Sequence, residues 1–335
     1  MRAPRFWAEP RLSPAARLLQ PAAALYGVVA GRRMDRPGER AGVAVVCIGN
    51  FTSGGAGKTP VAIAVARILQ EQGERPAFLT RGYGGRLVGP VQVDPARHGP
   101  GDIGDEPLLL ARAASTVVAR DRLAGACLCR EIGASVVVMD DGLQNPSLHK
   151  DFPIAVVDAE AGVGNGLCLP AGPLRAPLAV QWRYVNTIVL VGDGAAGEAL
   201  AREAEARGKP VLRARLEPDR AIAARLKGTR VLAFAGIGRP AKFFTTLKAC
   251  GAVVASAREF PDHHPYSAEE IRALLEEAHR DALLPVTTEK DLVRIAALGP
   301  GLAGPIVALP VALAVQDEAA LRARLAAVAG GARAG

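Results

Sequence analysis

Residues 49–60 read GNFTSGGAGKTP, in which paired glycines are followed by a lysine and a threonine. Backbone N–H groups of such a loop can bind phosphate oxygens, while Lys58 reaches the β- and γ-phosphates and the Thr59 hydroxyl binds Mg²⁺. The usual pattern G-x-x-x-x-G-K-[ST] has its first glycine at position 52, where this chain has Thr52. Gly54 and Gly55 still supply permissive backbone angles nearby. The segment therefore predicts a nucleotide-binding loop, consisting of Gly54, Gly55, Ala56, Gly57, Lys58, Thr59 and Pro60.

Two adjacent carboxylates follow a short apolar run in the segment VVVMDD, which ends at Asp141. An acidic residue at the end of a strand beside a phosphate loop is how NTPases of this kind hold their metal ion. Asp140 and Asp141, together with Thr59, are therefore the predicted Mg²⁺ ligands. The alternative is that Asp-Asp-Gly is only a turn that ends the strand.

Further polar clusters could serve an acceptor of the phosphate. Transfer to an alcohol needs a base on the hydroxyl and positive charge around the transferring group. Candidates stand at predicted strand ends in the segments TRGYGG, GDEP, RDR, DGLQN, GPLR, FPDHHPY and TTEKD. The segment FPDHHPY contains His263 and His264 directly after Asp262. Its alternative interpretation is that Asp262 caps a helix beginning near Pro265 and that both histidines are surface residues.

The residues around these clusters alternate between short apolar runs and helix-length stretches. GVAVVCIGN, before the glycine loop, is typical of a buried parallel strand, and KTPVAIAVARILQEQG, after it, has helical spacing and closes at Gly73. Further strand candidates are PAFLT, STVVA, ASVVVMDD, FPIAVVD and VNTIVLVGD. This alternation predicts an α/β fold with a doubly wound parallel sheet.

A second, smaller α/β unit is predicted at residues 218–303, where shorter strand and helix candidates alternate again. Two extended segments, 210–217 and 304–315, flank this unit, and we expect them to form a linker of two strands. The larger, phosphate-loop domain is then expected at 41–209, and a C-terminal helix and tail at 316–335. A chain of 335 residues, half of them hydrophobic, can bury a core in each domain.

The first 40 residues differ from the rest in charge. They carry eight arginines against three acidic residues, so that +5 of the formal charge of +8 lies there. The apolar run LLQPAAALYGVVA between these arginines is shorter than the roughly 20 residues that span a bilayer, and its flanks do not match a signal peptide. An apolar segment bracketed by arginines predicts an interfacial membrane anchor, with a helix packed on the protein's own core as the alternative. The absence of basic residues interleaved with aromatic ones disfavours nucleic-acid binding.

Eight motifs occur in order along the chain: GNFTSGGAGKTP, LTRGYGG, GDEP, DDGLQN, GNGLCLPAGPLRAP, AFAGIGRPAKFF, FPDHHPYS and TTEKD. With them the sequence, from Pro4 to Asp291, resembles the tetraacyldisaccharide 4'-kinase family of lipid A biosynthesis. The resemblance implies a P-loop NTPase-like α/β/α sandwich joined to a smaller α/β/α domain by a two-stranded linker. It also implies transfer of the ATP γ-phosphate to the 4'-hydroxyl of tetraacyldisaccharide 1-phosphate, which gives lipid IVA. The enzyme would be peripheral or monotopic at the cytoplasmic face of the bacterial inner membrane.

The resemblance also implies roles for individual residues. Asp105, assisted by His263, would be the base on the sugar hydroxyl, which requires the two domains to close. Lys58 and Asp141 would complete the catalytic group. The residues expected around the phosphates or the acceptor are Arg81, Arg122 (in preference to Arg120), Gln144 and Arg175. ATP and Mg²⁺ are the expected cofactors, and the lipid A disaccharide precursor and a membrane surface are the expected partners, without nucleic acid or an obligate protein partner.

One motif departs from the family pattern, because the family's DDGLQH is DDGLQN in this chain. Asn145 can form hydrogen bonds but cannot carry a proton. Any proton transfer by the corresponding family histidine is therefore not expected here, whereas a positioning role is.

Two other classes of protein share part of this pattern. A membrane-associated ATPase of the partitioning type also has a G-G-x-G-K-T loop, but its extra lysine before the paired glycines is replaced here by Ser53. Such an ATPase also gives no reason for the FPDHHPY segment. A non-catalytic membrane-binding module with a regulatory nucleotide site would show slow hydrolysis and no lipid acceptor.

Overall fold

The computed structural model describes residues 4–9, 12–55 and 57–331. Ala56 of the predicted loop and Arg2 and Arg11 of the basic segment lie outside these residues. The strands are β1 (Ala44–Gly49), β2 (Pro76–Thr80), β3 (Val91–Gln92), β4 (Thr116–Val118), β5 (Val136–Asp140), β6 (Phe152–Asp158), β7 (Thr187–Val191), β8 (Val211–Pro218), β9 (Arg230–Ala235), β10 (Val253–Glu259), β11 (Leu284–Thr287), β12 (Val307–Ala308) and β13 (Val311–Val315). The α-helices are α1 (Pro14–Met34), α2 (Lys58–Glu71), α3 (Pro100–Ile103), α4 (Asp105–Leu110), α5 (Arg122–Glu131), α6 (Leu178–Arg183), α7 (Ala195–Ala206), α8 (Arg220–Leu226), α9 (Pro240–Ala249), α10 (Ala268–Arg280), α11 (Glu289–Ala296), α12 (Pro300–Ala303) and α13 (Glu318–Gly331).

The larger sheet has the strand order β13-β8-β7-β6-β1-β5-β2-β4-β3. Strand β1 pairs in parallel with β5 on one side and with β6 on the other, and all its residues are buried. Val46 and Ile48 pack into the core that contains α2 and α13, whereas Val45 and Cys47 pack into the core that contains α5. Helices on both faces explain why the central strands are apolar throughout instead of alternating. The predicted α/β fold with a parallel sheet is confirmed.

The smaller sheet has the order β10-β9-β11-β12, and its strands pair in parallel. The chain passes between the two sheets along β8 and β13, which pair antiparallel, and β8 also extends the larger sheet beside β7. Strand β12 pairs with β11 in the smaller sheet. Part of the segment 304–315, which we expected to be a linker throughout, therefore belongs to the smaller sheet.

Helix α1 presents two different apolar faces. Its buried residues are small ones for the most part, and a side chain added at Gly27 would lie only 3.3 Å from the sulfur of Cys168. Larger apolar side chains point outward, and Leu18 and Leu25 are 82% and 69% exposed. Within the described part of the chain, no helix combines the length and apolar character needed to cross a membrane. Helix α1 thus packs on the protein through small residues and exposes its large apolar ones.

Candidate active site

The glycine loop connects the end of β1 to the start of α2. Gly54 and Gly57 have φ angles of 118° and 83°, which favour glycine over any residue with a side chain. Gly57 is the N-cap of α2 and provides no side-chain cap, so the first N–H groups of this helix remain available to an anion. A side chain added at Gly54 or Gly55 would meet nothing within 4 Å, so the space above the loop is open. The loop therefore offers an open site for phosphate groups.

Thr52, at the position of the missing glycine, is held in an extended arrangement. It forms a β-bridge with Leu174, and the Ser53 N–H donates to the carbonyl oxygen of Pro173 at 2.7 Å. An extended residue has no need of the backbone freedom of glycine. The contact with residues 173–174 thus fixes the loop backbone at the position where the usual motif has its first glycine.

Lys58 lies at the centre of a polar cluster beneath the loop. Its Nζ donates to Asn50 Oδ1 at 3.3 Å and lies 3.7 Å from Asp141 Oδ1. Arg175 donates to the same Asp141 oxygen at 2.6 Å. Burial raises the pKa of Asp141, but the charges of Lys58 and Arg175 outweigh burial and hold the pKa below its ordinary value. Asp141 is therefore ionised and keeps both cations next to the loop.

The carboxylate of Asp140, unlike that of Asp141, has no hydrogen-bond partner among the described residues. It is 1% exposed, and neither carboxylate oxygen has a hydrogen-bond partner within the described residues. Burial above all, together with the nearby charge of Glu106, raises the pKa of Asp140 to about 7. A buried carboxyl group without partners is costly, and such exceptions usually have a functional reason such as an ion that binds there.

The side chains of Arg122 and Gln144 both donate to backbone carbonyl oxygens. Arg122 is 2% exposed, and its guanidinium donates to the carbonyl oxygens of Ala119 and Asp140, each at 3.3 Å. Gln144 Nε2 donates to the carbonyl oxygen of Asn50 at 2.8 Å and to the Gln181 side chain at 2.7 Å. Both side chains hold strand ends in place, and their contact with phosphate or acceptor stays a prediction.

Arg81, by contrast, lies on the exposed loop after β2. It is close enough to Arg122 for its charge to act on that buried guanidinium. Arg81 and Arg175 are thus the two predicted substrate-binding arginines that are more exposed than Arg122.

Asp105 comes from the part of the chain that carries the larger sheet, and His263 comes from the part that carries the smaller one. We call these parts the larger and the small domain. His263 Nδ1 lies 3.1 Å and 3.2 Å from the two carboxylate oxygens of Asp105, although the residues are 158 positions apart. Asp105 is only 4% exposed. His263 has a φ of 55°, and its backbone N–H donates to the carbonyl oxygen of Gly236 at 3.0 Å. The strained backbone of His263 is thus held by the loop that follows β9.

The charges of this pair depend on each other. Burial raises the pKa of Asp105, but the hydrogen bond with His263 and the charges of Lys290 and Arg294 bring it below its ordinary value. The same hydrogen bond to Asp105 raises the pKa of His263. Asp105 is therefore a carboxylate near neutral pH, and His263 keeps a proton over a wider pH range than a free histidine.

The neighbouring histidine has a structural role. His264 Nε2 lies 3.0 Å from Glu270, and its ring lies 4.8 Å from that of Phe260. Helix α10 is capped by Ser267, whose side chain accepts from the backbone of Glu270. Asp262 therefore does not cap this helix, and only one histidine of the FPDHHPY segment faces the site.

Other contacts hold the small domain over the glycine loop. Arg239 Nη1 and Lys242 Nζ, at the start of α9, lie 2.9 Å and 3.1 Å from Asp158 Oδ2 at the end of β6. A side chain added at Gly238 would come within 3.8 Å of the Gly55 backbone nitrogen. On the other side of the cleft, Lys290 of α11 forms an ion pair with Glu106 of α4.

Sequence patterns assign no individual role to Asn50, Asp158, Arg239, Lys290 and Arg294, whereas Glu106 belongs to the candidate segment GDEP. Asn50, Arg239 and Lys290 lie inside the motifs GNFTSGGAGKTP, AFAGIGRPAKFF and TTEKD. Asp158 and Arg294 had no such signal, because a single charged residue at a strand end or on a helix is usually a solvated surface residue.

Comparison with known proteins gives a consistent result. Residues 15–329 match the sequence profile of the family described as Tetraacyldisaccharide-1-P 4'-kinase. The chain is 60% identical over 328 residues to the tetraacyldisaccharide 4'-kinase of Methylobacterium sp. (strain 4-46), covering 98% of both chains. It is 54% identical over 322 residues to that of Rhodopseudomonas palustris (strain BisB5), covering 96% of this chain and 95% of the other. A crystal structure of LpxK from Aquifex aeolicus in complex with ATP is similar with a TM-score of 0.72 and 25% identity, over 93% of this chain and 99% of that one.

Proposed function

The chain belongs to the tetraacyldisaccharide-1-P 4'-kinase family, and we propose that it transfers the γ-phosphate of ATP to the 4'-hydroxyl of tetraacyldisaccharide 1-phosphate. The product would be lipid IVA, a precursor of lipid A. The observation that carries this proposal is the Asp105–His263 pair, which the small domain completes next to the open glycine loop.

In this proposal each group has a defined task. The loop N–H groups and Lys58 bind the phosphates, and Arg175 and Arg81 add positive charge around the transferring group. Asp105 accepts the proton of the 4'-hydroxyl while the hydroxyl oxygen attacks the γ-phosphorus. The bond from that phosphorus to the bridging oxygen breaks at the same time, and ADP leaves. His263 orients the carboxylate through the hydrogen bond at 3.1 Å.

The reaction itself is the direct test. The protein is incubated with γ-labelled ATP and tetraacyldisaccharide 1-phosphate in detergent micelles, and the products are separated by lipid chromatography. We expect the label in the lipid. Label found only as free phosphate would instead support a membrane-associated ATPase without a lipid acceptor.

We further propose that the site binds Mg²⁺ through Thr59 and Asp140, with Asp141 nearby. Within the described residues no group of three or more His, Cys, Asp or Glu side chains is arranged to hold a metal ion. Mg²⁺ usually takes only one or two carboxylates and fills its shell with water and substrate phosphates, so this donor set fits it. The carboxyl group of Asp140, buried and without partners, supports the assignment. When bound, Mg²⁺ would neutralise charge on the phosphates.

Replacing Asp140 with asparagine is expected to weaken Mg²⁺ binding in the presence of ADP by at least about tenfold, because an amide oxygen is a poorer ligand than a carboxylate. Binding is measured with Mn²⁺ as a paramagnetic substitute, so that the readout does not depend on turnover. Asp281→Asn, a change of an exposed aspartate at the C-terminal end of α10, is the matched control. Unchanged affinity in Asp140→Asn would exclude Asp140 as a ligand.

We also propose that α1 binds the surface of the inner membrane from its cytoplasmic side. Its outward face carries Leu18, Leu25 and Val29, which are 82%, 69% and 60% exposed. Exposed arginines stand near both ends of the helix, at Arg17 and at residues 32–33. Large apolar side chains beside arginines suit an anionic lipid interface. No obligate protein partner is part of the proposal.

The double variant Leu18→Asp/Leu25→Asp is expected to lose most of its binding to vesicles of phosphatidylethanolamine and phosphatidylglycerol. Each leucine that enters the lipid contributes about 1.5–3 kcal/mol, so the affinity should fall more than tenfold. Co-sedimentation measures binding, and ATP affinity serves as the check on folding. Leu298→Asp changes an apolar residue of the small domain that is 37% exposed and should bind as the wild type does. Equal vesicle binding by all three proteins would contradict the proposal.

A further inference from the structure

Arg294 of α11 is a buried cation at the interface between the two domains. It is 9% exposed, and its Nε lies 3.5 Å from Asp105 Oδ2 in the larger domain. Its guanidinium also lies over the ring of Tyr266, with a distance of 5.7 Å to the ring centre. A guanidinium so far removed from water needs several partners to remain charged.

A carboxylate in the small domain supplies the main partner. Asp291 is fully buried, and its Oδ1 accepts from Arg294 Nη2 at 2.6 Å and from the Tyr266 hydroxyl at 2.8 Å. The same oxygen accepts from the backbone N–H of Gly236 at 2.9 Å. Asp291 therefore fixes Arg294 in one orientation and neutralises part of its charge.

Arg294 in turn holds the segment that carries His263. Its Nη2 donates to the carbonyl oxygen of Gly236 at 2.9 Å, the same oxygen that accepts from the His263 backbone N–H. Its Nη1 donates to the carbonyl oxygen of His264 at 3.3 Å. One guanidinium thus contacts the carbonyl oxygens of Gly236 and His264, while its Nε donates to the carbonyl oxygen of Lys290 at 3.3 Å and lies 3.5 Å from Asp105 Oδ2.

From this geometry we propose that Arg294, anchored by Asp291, is a positioning residue that aligns Asp105 and His263 with each other and keeps Asp105 in its carboxylate form. The proposal rests on the proposed role of Asp105 as the base. Arg294 reaches Asp105 from the small domain, so its positive charge offsets the effect of burial on this carboxylate.

The other charged groups around Asp105 come from three elements. Glu106 is next to it on α4, Lys290 faces it from α11, and His263 contacts it from the loop after β10. Lys290 is paired with Glu106, as Arg294 is with Asp291, and the charge of Lys290 contributes more than that of Arg294 to lowering the pKa of Asp105. Arg294 differs from Lys290 in that its guanidinium also contacts the carbonyl oxygens of Gly236 and His264, so its loss should affect both the charge at Asp105 and the position of His263.

The sign of the expected pH effect follows from the charge. The pKa of Asp105 is lowered in the folded protein, and Arg294 contributes to the lowering. Without Arg294, burial acts against fewer cations, so Asp105 takes up its proton at higher pH. The acidic limb of kcat/KM for the lipid acceptor then moves to higher pH.

The test is the pH profile of kcat/KM for the lipid acceptor in wild type, Arg294→Gln and Arg294→Lys. For Arg294→Gln we expect the acidic limb of the profile to lie at higher pH than in wild type, and for Arg294→Lys, which keeps the charge, we expect a smaller shift. Arg272→Gln alters an exposed arginine of α10 and should leave the profile unchanged. A purely structural role would lower activity by the same factor at every pH, and that result would overturn the proposal.

Two further variants keep the outcome decisive. If Arg294→Gln does not fold, the pair Asp291→Asn/Arg294→Gln removes both buried charges together and avoids an uncompensated carboxylate. Asp105→Ala is measured in the same series. If Asp105→Ala retains wild-type turnover, the proposed base is wrong. If it is inactive and the acidic limb of the Arg294 variants does not move, only the role of Arg294 is wrong.

Discussion

Replacing Lys58 with alanine is expected to abolish measurable transfer of phosphate to the lipid, with a loss of about 10²- to 10³-fold or more in kcat. The side chain of Lys58 is 11% exposed and lies next to Asn50 and Asp141, where a bound phosphate would meet its charge away from bulk water. A charge that acts in such a site stabilises the transition state far more than a charge in water does. The measurement is single-turnover transfer from γ-labelled ATP.

A control is needed because Lys58 also neutralises part of the charge of Asp141. Loss of the cation leaves Arg175 as the remaining partner of that carboxylate, so thermal stability is measured alongside activity. Lys248→Ala, which removes an exposed lysine of α9, should behave as the wild type. If Lys58→Ala folds, binds ATP and still phosphorylates the lipid at more than a tenth of the normal rate, the glycine loop is not the site of phosphoryl transfer.

Replacing Asp105 with alanine is expected to lower kcat for the lipid by about 10²- to 10⁴-fold, the usual contribution of a general base. ATP affinity should be largely kept, because Asp105 faces His263 and Arg294 and is not part of the glycine loop. The measurements are steady-state kinetics with the lipid acceptor and equilibrium binding of an ATP analogue. Asp193→Ala, at an aspartate whose side chain is 81% exposed, is the control.

Two results would argue against a base. An equal loss of turnover and of ATP affinity would mean that Asp105 shapes the nucleotide site instead of acting on the hydroxyl. Wild-type turnover in Asp105→Asn, which keeps the shape but cannot accept the proton, would contradict the assignment directly. We expect His263→Ala to lose less than Asp105→Ala, because it leaves the carboxylate in place.

The glycine loop is a part of the structure that the local sequence predicts well. The order apolar run, glycines, Lys58, Thr59 and helical spacing predicts strand, loop and helix, and each forms at that place. The same reasoning found the parallel strands of the larger sheet, because strands buried on both faces must be apolar at every position. It could not explain Thr52, whose extended backbone depends on a β-bridge to Leu174, far along the chain.

The sequence pattern alone does not predict which face of the N-terminal helix α1 packs on the protein. Apolar residues lie on both of its faces, so their periodicity favours neither a membrane surface nor the protein core. In the structure, residue size distinguishes the face of α1 that packs on the protein from the face that is exposed. The small residues at positions 27 and 31 allow close contact with Cys168 and Val180, and Leu18 and Leu25 are left exposed.

The sequence by itself determined the fold class, the phosphate loop and the residue types available for transfer, since these follow from backbone periodicity and short-range spacing. Only the tertiary structure decided which side chains face the site. It buried Arg122, left the Asp140 carboxylate without a hydrogen-bond partner among the described residues, and brought His263 and Arg294 of the small domain to Asp105. The physical reason is that the contacts of Asp105 with His263 and Arg294 join residues more than a hundred positions apart, and their geometry depends on how two separately packed cores meet.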